Sequence, residues 1–135
     1  MFNPSEADAC RRLIDLALGE DLGTAGDLTS RAVIPPDLPG RAALAARVAG
    51  VVAGLPAAQQ VFAVIDSQLS FETRIPDGSA VKAGAVLAVV GGRMRSVLAG
   101  ERTALNFVQR LSGVATQTAR YVAAAAGLPC RVLDT

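Results

Sequence analysis

The chain has 135 residues, 51% of them apolar and 19% charged, the composition of an ordinary globular domain rather than a disordered segment. A formal net charge of +1, with no block of like charges, leaves no basis for non-specific nucleic-acid binding or a polybasic tail. No histidine is present, which excludes a His general base, a Ser-His-Asp triad and any zinc site with a His ligand.

Asn3-Pro4-Ser5-Glu6 predicts a helix start, with Asn3 able to cap, Pro4 suited to the first helical position and Glu6 in capping-box register. Cys10, Leu13, Ile14 and Ala17 then recur at helical spacing, and Gly19 is expected to close the element. Glu20 to Asp27 reads as an acidic loop. It lacks the alternating ligands and terminal Glu of an EF-hand, so Asp27 before Leu28-Thr29 is read as a turn or cap rather than a metal ligand. Residues 41–54 read as weakly extended, and Leu55-Pro56 opens a short helix whose Ala58, Val61, Phe62 and Ile65 share a face. Over 68–75, Leu69, Phe71, Thr73 and Ile75 alternate with Gln68, Ser70, Glu72 and Arg74, which predicts a strand. Pro76-Asp77-Gly78 is a turn, Ala80 to Lys82 a short extended piece, and Ala85 to Val90 an apolar strand ended by Gly91-Gly92.

From Met94 the period changes to that of a helix. Met94, Val97, Leu98, Leu105, Val108 and Ser112 form one stripe, which Ser112-Gly113 is expected to break. A second helix over roughly 114–126 is predicted to turn Val114, Thr118, Tyr121, Val122 and Ala125 inward before Gly127 and Pro129 stop it. Arg131 to Thr135 reads as a strand that delivers Asp134 and Thr135 to a site at its C-terminal end. A chain that stops there, rather than fraying into polar residues, is expected to be truncated.

Glu101 falls in the middle of the 94–112 stripe, where an unpaired carboxylate is costly, and is expected to be paired. Beside it Arg102 lines up with Arg95, Asn106 and Gln109 on one polar edge. By spacing alone that edge reads as a solvated face and Glu101 as a structural ion pair. The run from Asp77 to Leu87 has the cadence of biotinyl and lipoyl carrier domains. Its Lys82, the only lysine, lies inside the cadence instead of at a hairpin tip, so the run is read as a strand-turn-strand packing device. Cys10 and Cys130 stand far apart with no CxxC spacing, which favours two free thiols in a reducing compartment. Met1 to Glu6 has no signal-peptide pattern, and no apolar run reaches the ~18 residues of a membrane span. A cytoplasmic protein with no membrane partner is the expectation.

Several stretches, taken in order, closely resemble quinolinate phosphoribosyltransferase, also called carboxylating nicotinate-nucleotide diphosphorylase. They are Glu20-Asp21-Leu22-Gly23, Gly26-Asp27-Leu28-Thr29-Ser30, Val51-Val52-Ala53-Gly54-Leu55-Pro56, Asp77-Gly78 with Gly84, Glu101 to Phe107, and Gln109 to Gly113. The resemblance implies an α+β chain in two parts. Residues 1–112 would form an N-terminal α/β sandwich with a hammerhead-like insertion, and 113–135 the first helix and strand of a truncated α/β barrel.

The same resemblance implies that quinolinate and phosphoribosyl pyrophosphate, with Mg²⁺, become nicotinate mononucleotide, pyrophosphate and carbon dioxide in NAD biosynthesis. Family members work as homodimers or larger assemblies. Arg102 matches the arginine that reaches into the neighbouring subunit's site to bind a quinolinate carboxylate, a task for which a planar guanidinium suits a dicarboxylate. Thr135 matches the threonine that opens a substrate-binding Thr-Arg-Lys stretch after the first barrel strand. The chain as given is expected to lack activity alone, since the family's metal and ribose ligands and remaining basic residues lie further on. Two other readings stay open: a molybdenum-transport-associated paralogue of the same fold, and a non-catalytic interaction or carrier module.

Overall fold

A computed structural model describes residues 3–133. Its first helix, α1 (Pro4–Leu22), begins with the reciprocal capping box that its sequence spells. The Asn3 side chain accepts from the Glu6 N–H at 2.9 Å, and the Asn3 N–H donates to the Glu6 carboxylate at 2.8 Å. The helix does not end at Gly19. It runs three residues further to Leu22 and stops at Gly23, whose N–H donates to the Gly19 carbonyl. A glycine costs a helix about 1 kcal/mol, and the packing of Leu18 and Leu22 against the core on either side of Gly19 offsets it. The buried face is Cys10, Ile14 and Leu18; Leu13, expected inward, is exposed. Burial pushes the Cys10 thiol above its ordinary pKa.

Helix α2 (Leu28–Val33) starts where Asp27 accepts from the Ser30 N–H, and the hydrogen bonds from Ser30 hold the Asp27 carboxyl below the usual range. Strands β1 (Pro39–Ala45), β3 (Ser70–Thr73) and β5 (Val86–Arg93) then form an antiparallel sheet in the order β1-β5-β3. A separate ribbon pairs β2 (Gly50–Val51) with β4 (Ala80–Val81). The glycine pair expected to end β5 lies inside it: Gly91 faces Arg41 and Ser70, and Gly92 faces Gly40. Backbone pairing, not side chains, carries the strand there. Gly92 has φ +142°, and a Cβ on it would meet the Leu69 side chain at 2.5 Å, so no other residue fits position 92 without strain.

Helices α3 (Leu55–Ile65) and α4 (Met94–Ala124) pack together over the sheet, with α1 against both. The α3 face read from its period is the observed one, with Ala58, Val61 and Phe62 buried and Ile65 at the margin. Gly100 lets α3 approach α4 closely: a Cβ there would lie 3.0 Å from the Phe62 ring. Gly113 breaks nothing. α4 is one helix of 31 residues, in place of the two expected. On either side of Gly113, Ser112 and Thr116 reach the β2 segment: Ser112 Oγ accepts from the Ala53 N–H and Thr116 Oγ1 from the Val51 N–H, both at 2.9 Å. Two such bonds, about 1 kcal/mol each, outweigh the penalty of one helical glycine.

The covered face of α4 is Val97, Gly100, Thr103, Ala104 and Val108. Glu101 lies outside it and is exposed, with no ion pair among the described residues. The expectation of a buried Glu101 fails because the covered line of α4 runs through Gly100 and Ala104, with Gly100 against Phe62 of α3, and not midway between Leu98 and Leu105. Among the described residues the sheets are open and no barrel closes. Arg131 to Leu133 belong to no strand, and Asp134 and Thr135 lie outside the described residues. No helix among the described residues is long and apolar enough to cross a membrane.

Candidate functional site

Because α1 continues past Gly19, its final turn comes alongside the middle of α4. The two helices enclose a groove of about 480 Å³, lined by Glu20 and Asp21 from α1 and by Arg102, Thr103, Asn106 and Phe107 from α4. Arg102 Nη1 stands 3.2 Å from Asp21 Oδ1. The Arg102 side chain is 77% exposed and that of Asp21 only 19%, so the arginine leans out over a carboxylate the fold has already placed. The contact is an ion pair without the alignment of a hydrogen bond. Among the described residues no acceptor takes an Arg102 N–H in good geometry. Five donors and a permanent positive charge thus face the groove and solvent.

The polar edge expected along α4 divides in two. Arg95 is structural: its Nε donates to the Ile34 carbonyl at 2.6 Å and its Nη2 to the Arg31 carbonyl at 3.0 Å, closing the C-terminal end of α2. Asn106 stays with Arg102 in the groove, and Gln109 is exposed outside its lining. Reading Glu20-Asp21 as loop hid their part in the groove. A clue was available: acidic residues in a helix's last turn oppose its macrodipole, and no basic residue accompanies them there.

The carboxylate that is buried and paired is Asp66, at the end of α3. It accepts from the Gln68 N–H at 3.1 Å, from Arg93 at 2.7 and 3.0 Å, and from Ser96 Oγ at 2.8 Å. These bonds, the Gln68 N–H first and Arg93 and Ser96 after it, hold its carboxyl below the usual range. The cluster ties the end of α3 and the loop after it to the β5–α4 junction, away from the groove. Asp77, in the predicted turn, has a similar duty: its carboxylate accepts from the Gly54 and Leu55 N–H groups at 2.7 and 3.1 Å and caps α3. Among the described residues no group of three or more Cys, Asp or Glu is placed to hold a metal ion.

The chain superposes on solved structures with the same open sheets and helical cover. The crystal structure of NadC from Streptococcus pyogenes matches 99% of it at a TM-score of 0.89 and 34% identity, and the nicotinate-nucleotide pyrophosphorylase from Francisella tularensis matches 95% at 0.87 and 33%. Fold and sequence together therefore class the chain with part of these larger proteins. The family described as "Quinolinate phosphoribosyl transferase, N-terminal domain" matches residues 27–112. The chain belongs to that quinolinate phosphoribosyl transferase family. Quinolinate phosphoribosyltransferase [decarboxylating] 1b of Nicotiana tabacum is 42% identical over 91% of the chain, and a probable nicotinate-nucleotide pyrophosphorylase of a Synechocystis species 42% over 87%. The chain spans 35% and 39% of those two relatives, and 47% and 45% of the two solved chains.

Proposed function

We propose that this chain supplies the N-terminal part of an enzyme that forms nicotinate mononucleotide, pyrophosphate and carbon dioxide from quinolinate and phosphoribosyl pyrophosphate. The observation that carries the reading is Arg102, a guanidinium 77% exposed beside a single carboxylate on a rigid helix. A structural arginine would be spent on its own chain, as Arg95 is. One left outward, in a chain of this family, suits a carboxylate of quinolinate across a homodimer or larger assembly. Residues 113–135 would open the barrel of that enzyme, with Thr135 at its substrate-binding end. A cytoplasmic setting agrees with the free thiols of Cys10 and Cys130. Mg²⁺ would arrive with phosphoribosyl pyrophosphate; among the described residues no group of three or more Cys, Asp or Glu is placed to hold it. The carrier reading is disfavoured, because Asp77 and its turn serve as the cap of α3.

The test is a chimera in which residues 1–135 replace the matching segment of the Francisella tularensis relative. Arg102→Ala should weaken quinolinate binding by about one to four decades, at roughly 1.5–3 kcal/mol per charge-assisted bond. Its cost to folding should stay under ~1 kcal/mol, since the side chain packs against little. Arg102→Lys should recover only part, because an ammonium cannot present two parallel donors. Mixing Arg102→Ala chains with chains defective only in the barrel should restore some activity if the arginine acts across subunits. Unchanged quinolinate affinity in Arg102→Ala would refute the assignment.

A further inference from the structure

We infer that Asp21 is a positioning residue for Arg102, holding its guanidinium so that one edge of the fork stays open to an anionic ligand; the inference rests on the substrate-binding reading of Arg102. Three observations converge. The guanidinium comes nearest Asp21 at Nη1, 3.2 Å from Oδ1, and no Arg102 N–H, those of the Nε–Nη2 edge included, is hydrogen-bonded among the described residues. That edge carries the parallel pair of N–H bonds that a carboxylate accepts side-on. Next, the exposure is unequal: Asp21 is set by its place on α1 and largely covered, whereas Arg102 is free along its length. The carboxylate therefore restrains the arginine, and not the reverse. Finally, Asp21 sits in the last turn of α1, where the helix dipole disfavours an acidic residue and no basic residue compensates. Helix stability gives no reason for an aspartate here, and the contact with Arg102 does.

An arginine side chain loses considerable rotamer freedom when it binds. Asp21 removes part of that freedom before the ligand arrives, so its effect belongs in ligand affinity and not in turnover. In the chimera, Asp21→Asn is expected to raise KM for quinolinate by about two- to fivefold, the equivalent of one exposed ion pair. Neither kcat nor the KM for phosphoribosyl pyrophosphate should move. Asp21→Glu should restore part of the loss, and Asp21→Asn should add nothing in an Arg102→Ala background. Outside the chimera, the chain of residues 1–135 gives a second readout by NMR: the Arg102 Nε–H should become more mobile in Asp21→Asn than in the parent chain.

An unchanged quinolinate KM in Asp21→Asn, with Arg102→Ala still damaging, overturns the positioning role and leaves the reading of Arg102 standing. A lowered KM overturns it too, since Asp21 would then compete with substrate. If Arg102→Ala itself has no effect, the substrate-binding reading is what has failed. If the chimera does not assemble, an Arg102 Nε–H indifferent to Asp21→Asn overturns the inference by itself.

Discussion

Residues 94–112 and 113–124 share one helix and differ in what lies opposite them. The first stretch buries Val97, Gly100, Thr103, Ala104 and Val108 against α3 and the sheet. The second buries none, and its Val114, Tyr121 and Val122 are exposed. Both have the period of an amphipathic helix, so periodicity alone assigns an inner face to each. Covering that face takes a second element, and within the described residues only the first stretch has one. The second is held by Thr116 at the β2 ribbon and little else.

Substitutions in the packed stretch and in the tail should differ widely in cost. Phe62→Ala, opposite Gly100, is expected to lower stability by about 3–5 kcal/mol, and Val122→Ala to stay within about 0.5 kcal/mol. Urea denaturation of the two variants measures both, and similar losses would show that the tail is packed after all.

Acid should act on the first region through Asp66. Its folded pKa lies below the ~3.9 of a free aspartate, so its contribution is fully present above that value. It is lost as pH falls through the folded pKa. Asp27 adds to the same trend with the same sign. Melting temperature should therefore drop below about pH 4, and the drop should be shallower in Asp66→Asn. A slope unaltered by that substitution would remove Asp66 from the account.

The junction of the two stretches gives the smallest and sharpest test. Ser112→Ala removes bonds to both the Ala53 N–H and its carbonyl and should cost about 1–2 kcal/mol. Gly113→Ala should stabilise by about 0.5–1 kcal/mol, because a Cβ there meets nothing within 4 Å and the helix gains propensity. Destabilisation by Gly113→Ala would argue for the break expected from sequence.

Much of the site was half legible. Arg102 stood out by its motif and its polar edge, yet spacing could not separate it from Arg95, which serves the carbonyl ends of α2. Asp21 was visible as an acidic residue two positions before Gly23, and nothing local placed it 3.2 Å from a side chain on another helix. The buried carboxylate was assigned to Glu101 by arithmetic on one helix. The fold gave that environment to Asp66, whose partners come from β5, α4 and the loop after α3.

Sequence by itself determined the features that are satisfied within a few residues. These are the Asn3–Glu6 capping box, the Asp27 cap and the turn at Pro76-Asp77-Gly78. It also carried the family resemblance that the match over residues 27–112 bears out. Tertiary structure alone decided that Gly19 and Gly113 stay helical, that Gly91-Gly92 continue a strand, that Glu101 faces water and that Asp21 meets Arg102. A cap or a turn closes its hydrogen bonds locally. The cost of a helical glycine or a buried charge is offset only by partners brought from far along the chain, and those partners exist only once the chain has folded.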